Sequence, residues 1–184
     1  MDSLFTSLFT VALAEIGDKT QLLSLVLASR FKKPWPIIAG ILLATLANHG
    51  LSAWAGSWLR RFIEGSYSLW IIGGSFVAVG LWLLIPDKDD DETPRLQQYG
   101  AFVVSLTLFF LAEIGDKTQI ATVLLGARFD DVLLVTFGTT AGMLIANVPV
   151  VFAGNALMAR LPMRTAHLAA AAVFILIGLY TMFF

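Results

Sequence analysis

Long apolar runs alternate with short polar breaks along this chain. Six runs approach or exceed the roughly 20 residues that a helix needs to cross a bilayer core. They are Leu4 to Ala28, Pro36 to Leu59, Tyr67 to Ile85, Gly100 to Gly126, Val132 to Leu157 and Thr165 to Phe184. Charged or proline-bearing segments separate them, such as Arg30-Phe31-Lys32-Lys33-Pro34, Arg60-Arg61 and Arg128-Phe129-Asp130-Asp131. Lipid offers no partner to an unpaired backbone group, so the runs predict helices. The short alternating strands of a membrane barrel are not the pattern here. The first run has no basic segment before it and leads straight into Glu15-Ile16-Gly17-Asp18, which predicts a span and not a cleaved targeting peptide.

The second half repeats the first. Glu15, Gly17, Asp18, Lys19, Thr20 and Gln21 recur as Glu113, Gly115, Asp116, Lys117, Thr118 and Gln119, at an offset of 98 residues. The same offset pairs Arg30-Phe31 with Arg128-Phe129, Gly40 with Gly138, Ala55-Gly56 with Ala153-Gly154, Phe76 with Phe174, and Gly80-Leu81 with Gly178-Leu179. Each half holds three predicted spans. Three is odd, so the second half enters the membrane from the opposite side. The expected fold is an all-α membrane protein of six transmembrane helices in two inverted three-helix repeats, a plan that puts a transport site where the repeats meet. The expected divisions are a first repeat at 1–86, an acidic cytoplasmic linker at 87–98 and a second repeat at 99–184, forming one integrated transport domain. Loop lysines and arginines favour the side bearing Arg30, Lys32, Lys33, Lys88, Arg95, Arg160 and Arg164 as cytoplasmic over the side bearing Arg60, Arg61 and Arg128. Both termini then lie outside the cytoplasm.

Composition sharpens this picture. Of 184 residues, 58% are hydrophobic and only 14% charged, with mean hydropathy +0.81. A soluble domain is about a quarter charged, so lipid is the expected partner of the excess apolar surface. A net charge of −1 with no basic face excludes a nucleic-acid partner. The absence of cysteine removes disulfides, thiolate metal sites and cysteine nucleophiles.

The charged residues inside the spans carry the chemistry. A charge near the bilayer centre costs about 2.5–3.5 kcal/mol on insertion scales, so four carboxylates and two lysines are expected to face the protein interior. On continuous helices Glu15 and Asp18, and likewise Glu113 and Asp116, share a face at i,i+3, and Glu15–Lys19 and Glu113–Lys117 have favourable i,i+4 order for ion pairs. Gly17 and Gly115 allow close helix approach or local unwinding. The metal ligands expected are Glu15, Asp18, Glu113 and Asp116. Lys19, Thr20, Gln21, Lys117, Thr118 and Gln119 are expected as auxiliary residues, with Asn48, His49 and Asn147 from the second and fifth spans. Carboxylate, amide and hydroxyl oxygens suit hard cations such as Ca2+, Mg2+ and Mn2+. Like-charge repulsion prevents four close carboxylates from all staying ionised without a metal, so protons are the natural counter-ion. No resident cofactor is expected; the metal is the cargo.

Two copies of Glu-x-Gly-Asp-Lys-Thr, one per half, resemble the cation/proton exchanger family of the yeast and human Golgi manganese/calcium transporters, which includes the MneA-type bacterial manganese exporters. The resemblance covers essentially the full chain. It implies export of Mn2+, with Ca2+ as a second candidate, in exchange for protons, and it implies that the acidic residues of the two motifs bind the ion. It also implies a multi-pass protein of the bacterial inner membrane, here in a minimal form without a long amino-terminal extension. Two other readings remain open on the residues themselves. A passive divalent-cation channel also uses buried acidic residues. An intramembrane aspartyl protease would use Asp18 and Asp116, but Ala14-Glu15-Ile16-Gly17-Asp18 lacks the Gly-x-Gly-Asp pattern of such enzymes. Oligomeric state is not legible.

Overall fold

The structure, a computed structural model, describes residues 1–63, 67–84, 99–154 and 163–183. The expected acidic linker at 87–98 lies outside the described residues. Those described fold as helices joined by short turns, with no strand among them. In chain order they are α1 (Asp2–Ala14), α2 (Lys19–Phe31), α3 (Pro34–Arg60), α4 (Ser68–Trp82), α5 (Gly100–Glu113), α6 (Lys117–Phe129), α7 (Val132–Ala153) and α8 (Met163–Phe183).

The first and fourth predicted spans are not continuous helices, which corrects the expectation. Each is broken at its acidic motif, between α1 and α2 and between α5 and α6. The break falls on glycine for a backbone reason. Gly17 has φ of 86° and Gly115 of 77°, the left-handed region that a side chain disfavours by about 1–2 kcal/mol. The i,i+3 face and the i,i+4 spacing expected of a continuous helix therefore do not apply. By contrast α3 and α7 run unbroken. Each is long and apolar enough to cross a bilayer by length and composition. Pro34 opens α3, where a missing N–H costs nothing. Asp131 caps α7 by accepting from Leu134 N at 3.0 Å. Pro149 is accommodated inside α7 without ending it.

Helix packing follows the internal repeat. The main pairs are α4 with α8, α1 with α7, and α3 with α5 and α6. Small residues let these backbones meet, as helix association in lipid requires. A Cβ on Gly40 would come within 2.8 Å of the Phe102 carbonyl oxygen, and the equivalent Gly138 meets the Leu4 carbonyl in the same way. Gly80 approaches the Ala171 carbonyl, and Gly73 the Gly178 carbonyl, so this contact also exchanges under the 98-residue offset. The equivalent Phe76 and Phe174 rings lie 6.0 Å apart between α4 and α8.

Polar and apolar side chains share the interior, while the outer surface is largely apolar. Fully or nearly buried residues include Glu15, Glu113, Asn48, His49, Asn147 and many serines and threonines. Outward positions carry Phe9, Leu51, Trp54, Phe137, Ile145 and Leu176, each more than half exposed. An apolar coat of this extent over an interior that buries ionisable side chains is the surface of a membrane protein. Trp35, Trp58, Trp70 and Trp82 all lie in this coat.

Candidate functional site

The two helix breaks face each other in the protein centre. Oxygen atoms of Glu15, Glu113 and Asp116 lie within 4.8 Å of one another, and all three residues are buried. Asp18 is also buried, at the N-terminus of α2, but stands outside this set. The structure thus brings together three of the four expected carboxylates, drawn from both halves.

The two glutamates sit in contrasting surroundings. Glu15 Oε2 accepts from the Thr20 hydroxyl at 2.5 Å, and its Oε1 accepts from the Thr118 hydroxyl at 2.5 Å. Both motif threonines, one from each half, serve the same carboxylate. Glu113 has no hydrogen-bond partner on either carboxyl oxygen. Its neighbour is His49 from α3, whose Nε2 is 3.6 Å from Glu113 Oε2. Neither His49 nitrogen has a hydrogen-bond partner, and both residues are 0% exposed. Buried polar groups in native proteins are nearly always satisfied. Two adjacent buried side chains thus leave two carboxylate oxygens and one imidazole lone pair without a partner.

Asp116 caps α6, accepting from Thr118 N at 3.1 Å. Its other oxygen pairs with Lys19 Nζ at 3.0 Å. The Glu15–Lys19 pair expected within the first motif does not form; Lys19 crosses to the second half because the break at Gly17 turns α2 away from α1. Lys117 is buried, with Nζ 5.7 Å from the Trp82 ring centroid.

The motif glutamines, expected as auxiliary residues, brace the breaks. Gln21 Oε1 accepts from Gly17 N at 2.8 Å, and Gln119 Oε1 accepts from Gly115 N at 2.7 Å. Each amide then reaches the long helix of the other half. Gln119 Nε2 donates to Asn48 Oδ1 at 2.6 Å on α3, and Gln21 Nε2 donates to the Ala146 carbonyl at 2.8 Å on α7. Asn48 and Ala146 are equivalent under the offset of 98 residues, so the two braces are related by the repeat. Asn48 is completed by the Phe110 carbonyl at 3.1 Å. Asn147 accepts from Ser24 at 2.7 Å and donates to the Met143 carbonyl at 3.1 Å. Asn48 and Asn147 thus tie helices together, whereas His49 alone of the three meets a carboxylate of the set.

The chain matches the family described as "Divalent cation/proton antiporter GDT1" over residues 3–91 and 101–184. It belongs to that family. Among curated relatives, a protein of Vibrio cholerae named "Putative manganese exporter" is 52% identical, covering 100% of this chain and 92% of the relative. A GDT1-like protein of Synechocystis is 27% identical over 92% of this chain and 91% of its own length. "GDT1-like protein 3" of Arabidopsis thaliana is 26% identical over 89% of this chain and 64% of its own length. No solved structure matches the chain. Membership agrees with the resemblance carried by the doubled motif, and it sets aside the protease reading, since the family is one of transporters.

Proposed function

We propose that this protein exports a divalent cation, Mn2+ before Ca2+, in exchange for protons, by alternating access at one site shared between two inverted repeats. The observation that carries the reading is the convergence of Glu15, Glu113 and Asp116 from both halves at one buried centre. With Lys19 counted against Asp116, the three ionised carboxylates leave two negative charges, which suits one divalent ion. His49 adds an imidazole, a ligand that favours Mn2+ over Ca2+. The name of the Vibrio cholerae relative supports the same cargo. Carboxylates that repel one another without a metal take up protons, so the same oxygens serve the ion and its counter-ion. Asp18 belongs in this scheme as a carboxylate at the edge of the site.

Alternating access is supported by a difference between the repeats. At the α3–α6 seam, a Cβ on Gly56 would overlap the Val123 carbonyl, and one on Gly126 would meet the Ala53 backbone. At the equivalent α2–α7 seam, the nearest neighbour of a Cβ on Gly154 would be Leu25 Cδ1 at 3.9 Å. A cavity of about 230 Å³ opens there, between Leu25 and Ala28 on one side and Val151 to Gly154 on the other. One seam is shut backbone to backbone and its counterpart is loose. Exchanging the two arrangements would expose the site to the other side, as expected of inverted repeats built on broken helices. With both termini outside the cytoplasm, the loose seam faces the cytoplasm of a bacterial inner membrane and the protein waits to load its cargo. Burial of the carboxylates on all sides disfavours a continuous pore.

Reconstitution in liposomes tests this directly. Mn2+ flux and internal pH are followed together, with Glu113→Gln as the comparison. Coupled metal and proton movement, lost in the variant, is expected. Mn2+ flux that leaves internal pH unchanged would replace the exchanger with a channel.

A further inference from the structure

Arg60, Arg61 and Arg128 stand on the side with fewer basic residues, and the carboxylate site does not use them. The fold gathers them at one cavity of about 320 Å³, where α3, α6 and α8 end and α4 begins. Ser68, Asp130 and Thr181 also edge it, and Leu69 and Ile72 form an apolar wall. The volume lies at the small end of the roughly 300–1,000 Å³ typical of ligand sites.

None of this positive charge is spent in an ion pair among the described residues. Among the described residues, no carboxylate lies within 4.0 Å of any of the three guanidinium groups. Asp130 instead accepts from the Ser57 hydroxyl. Arg60 Nη1 donates to the Arg128 carbonyl at 3.1 Å, and Arg128 Nη1 donates to Thr181. The Arg128 guanidinium packs 5.4 Å from the ring centroids of Phe129 and Tyr180, which fixes its direction, while its buried Nε has no hydrogen-bond partner. Against the three full positive charges stand the Asp130 carboxylate and about half a negative charge at each of the C-terminal ends of α3, α6 and α8, which leaves a small positive remainder concentrated on the guanidinium groups. Guanidinium forks match the oxygens of a phosphate. Basic pockets between membrane helices bind anionic headgroups. Exposed Leu69 and Phe62 beside the cavity offer acyl chains a surface.

We propose that this cavity binds a phosphate-bearing anion, the headgroup of an anionic phospholipid. The site bridges α3, α6, α4 and α8 beside the shut seam, so an occupant ties that seam to the outer helix pair.

Native mass spectrometry of the full chain in detergent tests it, with phosphatidylglycerol, phosphatidylcholine and inorganic phosphate as probes. Phosphatidylglycerol is expected to bind in preference to phosphatidylcholine. Arg60→Gln with Arg61→Gln should weaken it roughly 30-fold, taking the usual contribution of each arginine near an anionic surface. Arg60→Lys with Arg61→Lys keeps the charge but not the guanidinium fork, so it should weaken binding less than the glutamine pair does, and Lys32→Gln with Lys33→Gln, which removes equal charge at exposed positions at the other end of α3, should change nothing. Full displacement of the lipid by inorganic phosphate would keep the phosphate site and make free phosphate its source. Equal binding of the two lipids, or equal binding of phosphatidylglycerol by the parent and the double glutamine variant, would overturn the proposal. If the glutamine variant does not fold, the lipid preference of the parent and the lysine variant decide.

Discussion

Lys19 Nζ lies 3.0 Å from Asp116 Oδ1, an ion pair whose members come from the same motif in different halves of the chain. Its carboxylate is 3% exposed and its lysine 34%. Replacing Lys19 by Gln therefore strands a buried negative charge, at a cost of about 1–3 kcal/mol, less than for a fully buried pair because the lysine reaches solvent. A divalent ion in the site would restore the missing positive charge. The thermal stability of Lys19→Gln is expected to fall in metal-free buffer and to recover in part with saturating Mn2+. An identical loss with and without Mn2+ would make the pair a purely structural clamp.

Thr20 and Thr118 both donate to Glu15, at 2.5 Å each. Hydrogen bonds to a charged group contribute about 1.5–3 kcal/mol. Thr118→Val keeps the shape and removes the donor, so it should slow Mn2+ transport, while Thr118→Ser should preserve it. A double-mutant cycle with Glu15→Gln is expected to show coupling of at least about 1 kcal/mol between the two positions. Additive effects would mean that the hydroxyl acts elsewhere.

His49 is the imidazole of the site, 3.6 Å from Glu113. A nitrogen ligand discriminates Mn2+ from Ca2+, which prefers oxygen throughout. His49→Gln supplies an oxygen in place of nitrogen. Competition of Ca2+ against Mn2+ uptake should strengthen in this variant, by roughly tenfold for each 1.4 kcal/mol of lost preference. An unchanged ratio with reduced uptake of both ions would assign His49 to positioning Glu113.

Gly115 adopts φ of 77°, and a Cβ there would have nothing within 4 Å. The cost of Gly115→Ala is therefore backbone strain alone, about 1–2 kcal/mol. Gly115→Asn should cost less, because asparagine tolerates this conformation. Thermal unfolding of the two variants checks the order; equal stability of Ala and Gly would show that the break is not held at this residue.

Much of this arrangement was legible in the chain. Apolar length and the spacing of Arg60-Arg61 and Arg128-Phe129 marked where helices end, and the offset of 98 residues predicted which contacts exchange. Gly17 and Gly115 carry a signal for unwinding, but the spacing of a continuous helix places Glu15 and Asp18 on one face. That geometry failed because a left-handed residue between them redirects the chain. The auxiliary role expected of the glutamines left their partner open, because an amide oxygen in a polar motif looks the same whether it meets an ion or a backbone N–H.

By itself the sequence determined the helical membrane character, the doubled acidic motif and the equivalence of the two halves. Those properties depend on local composition and on a repeat that any reader of the chain can align. Only the tertiary structure decided which carboxylates meet, that Lys19 serves Asp116, that both threonines serve Glu15, and that the α3–α6 seam is shut while the α2–α7 seam is loose. The reason is physical. Two halves with the same motif permit either assignment of partners, and packing around a crowded charged centre lets the chain adopt only one assignment at a time.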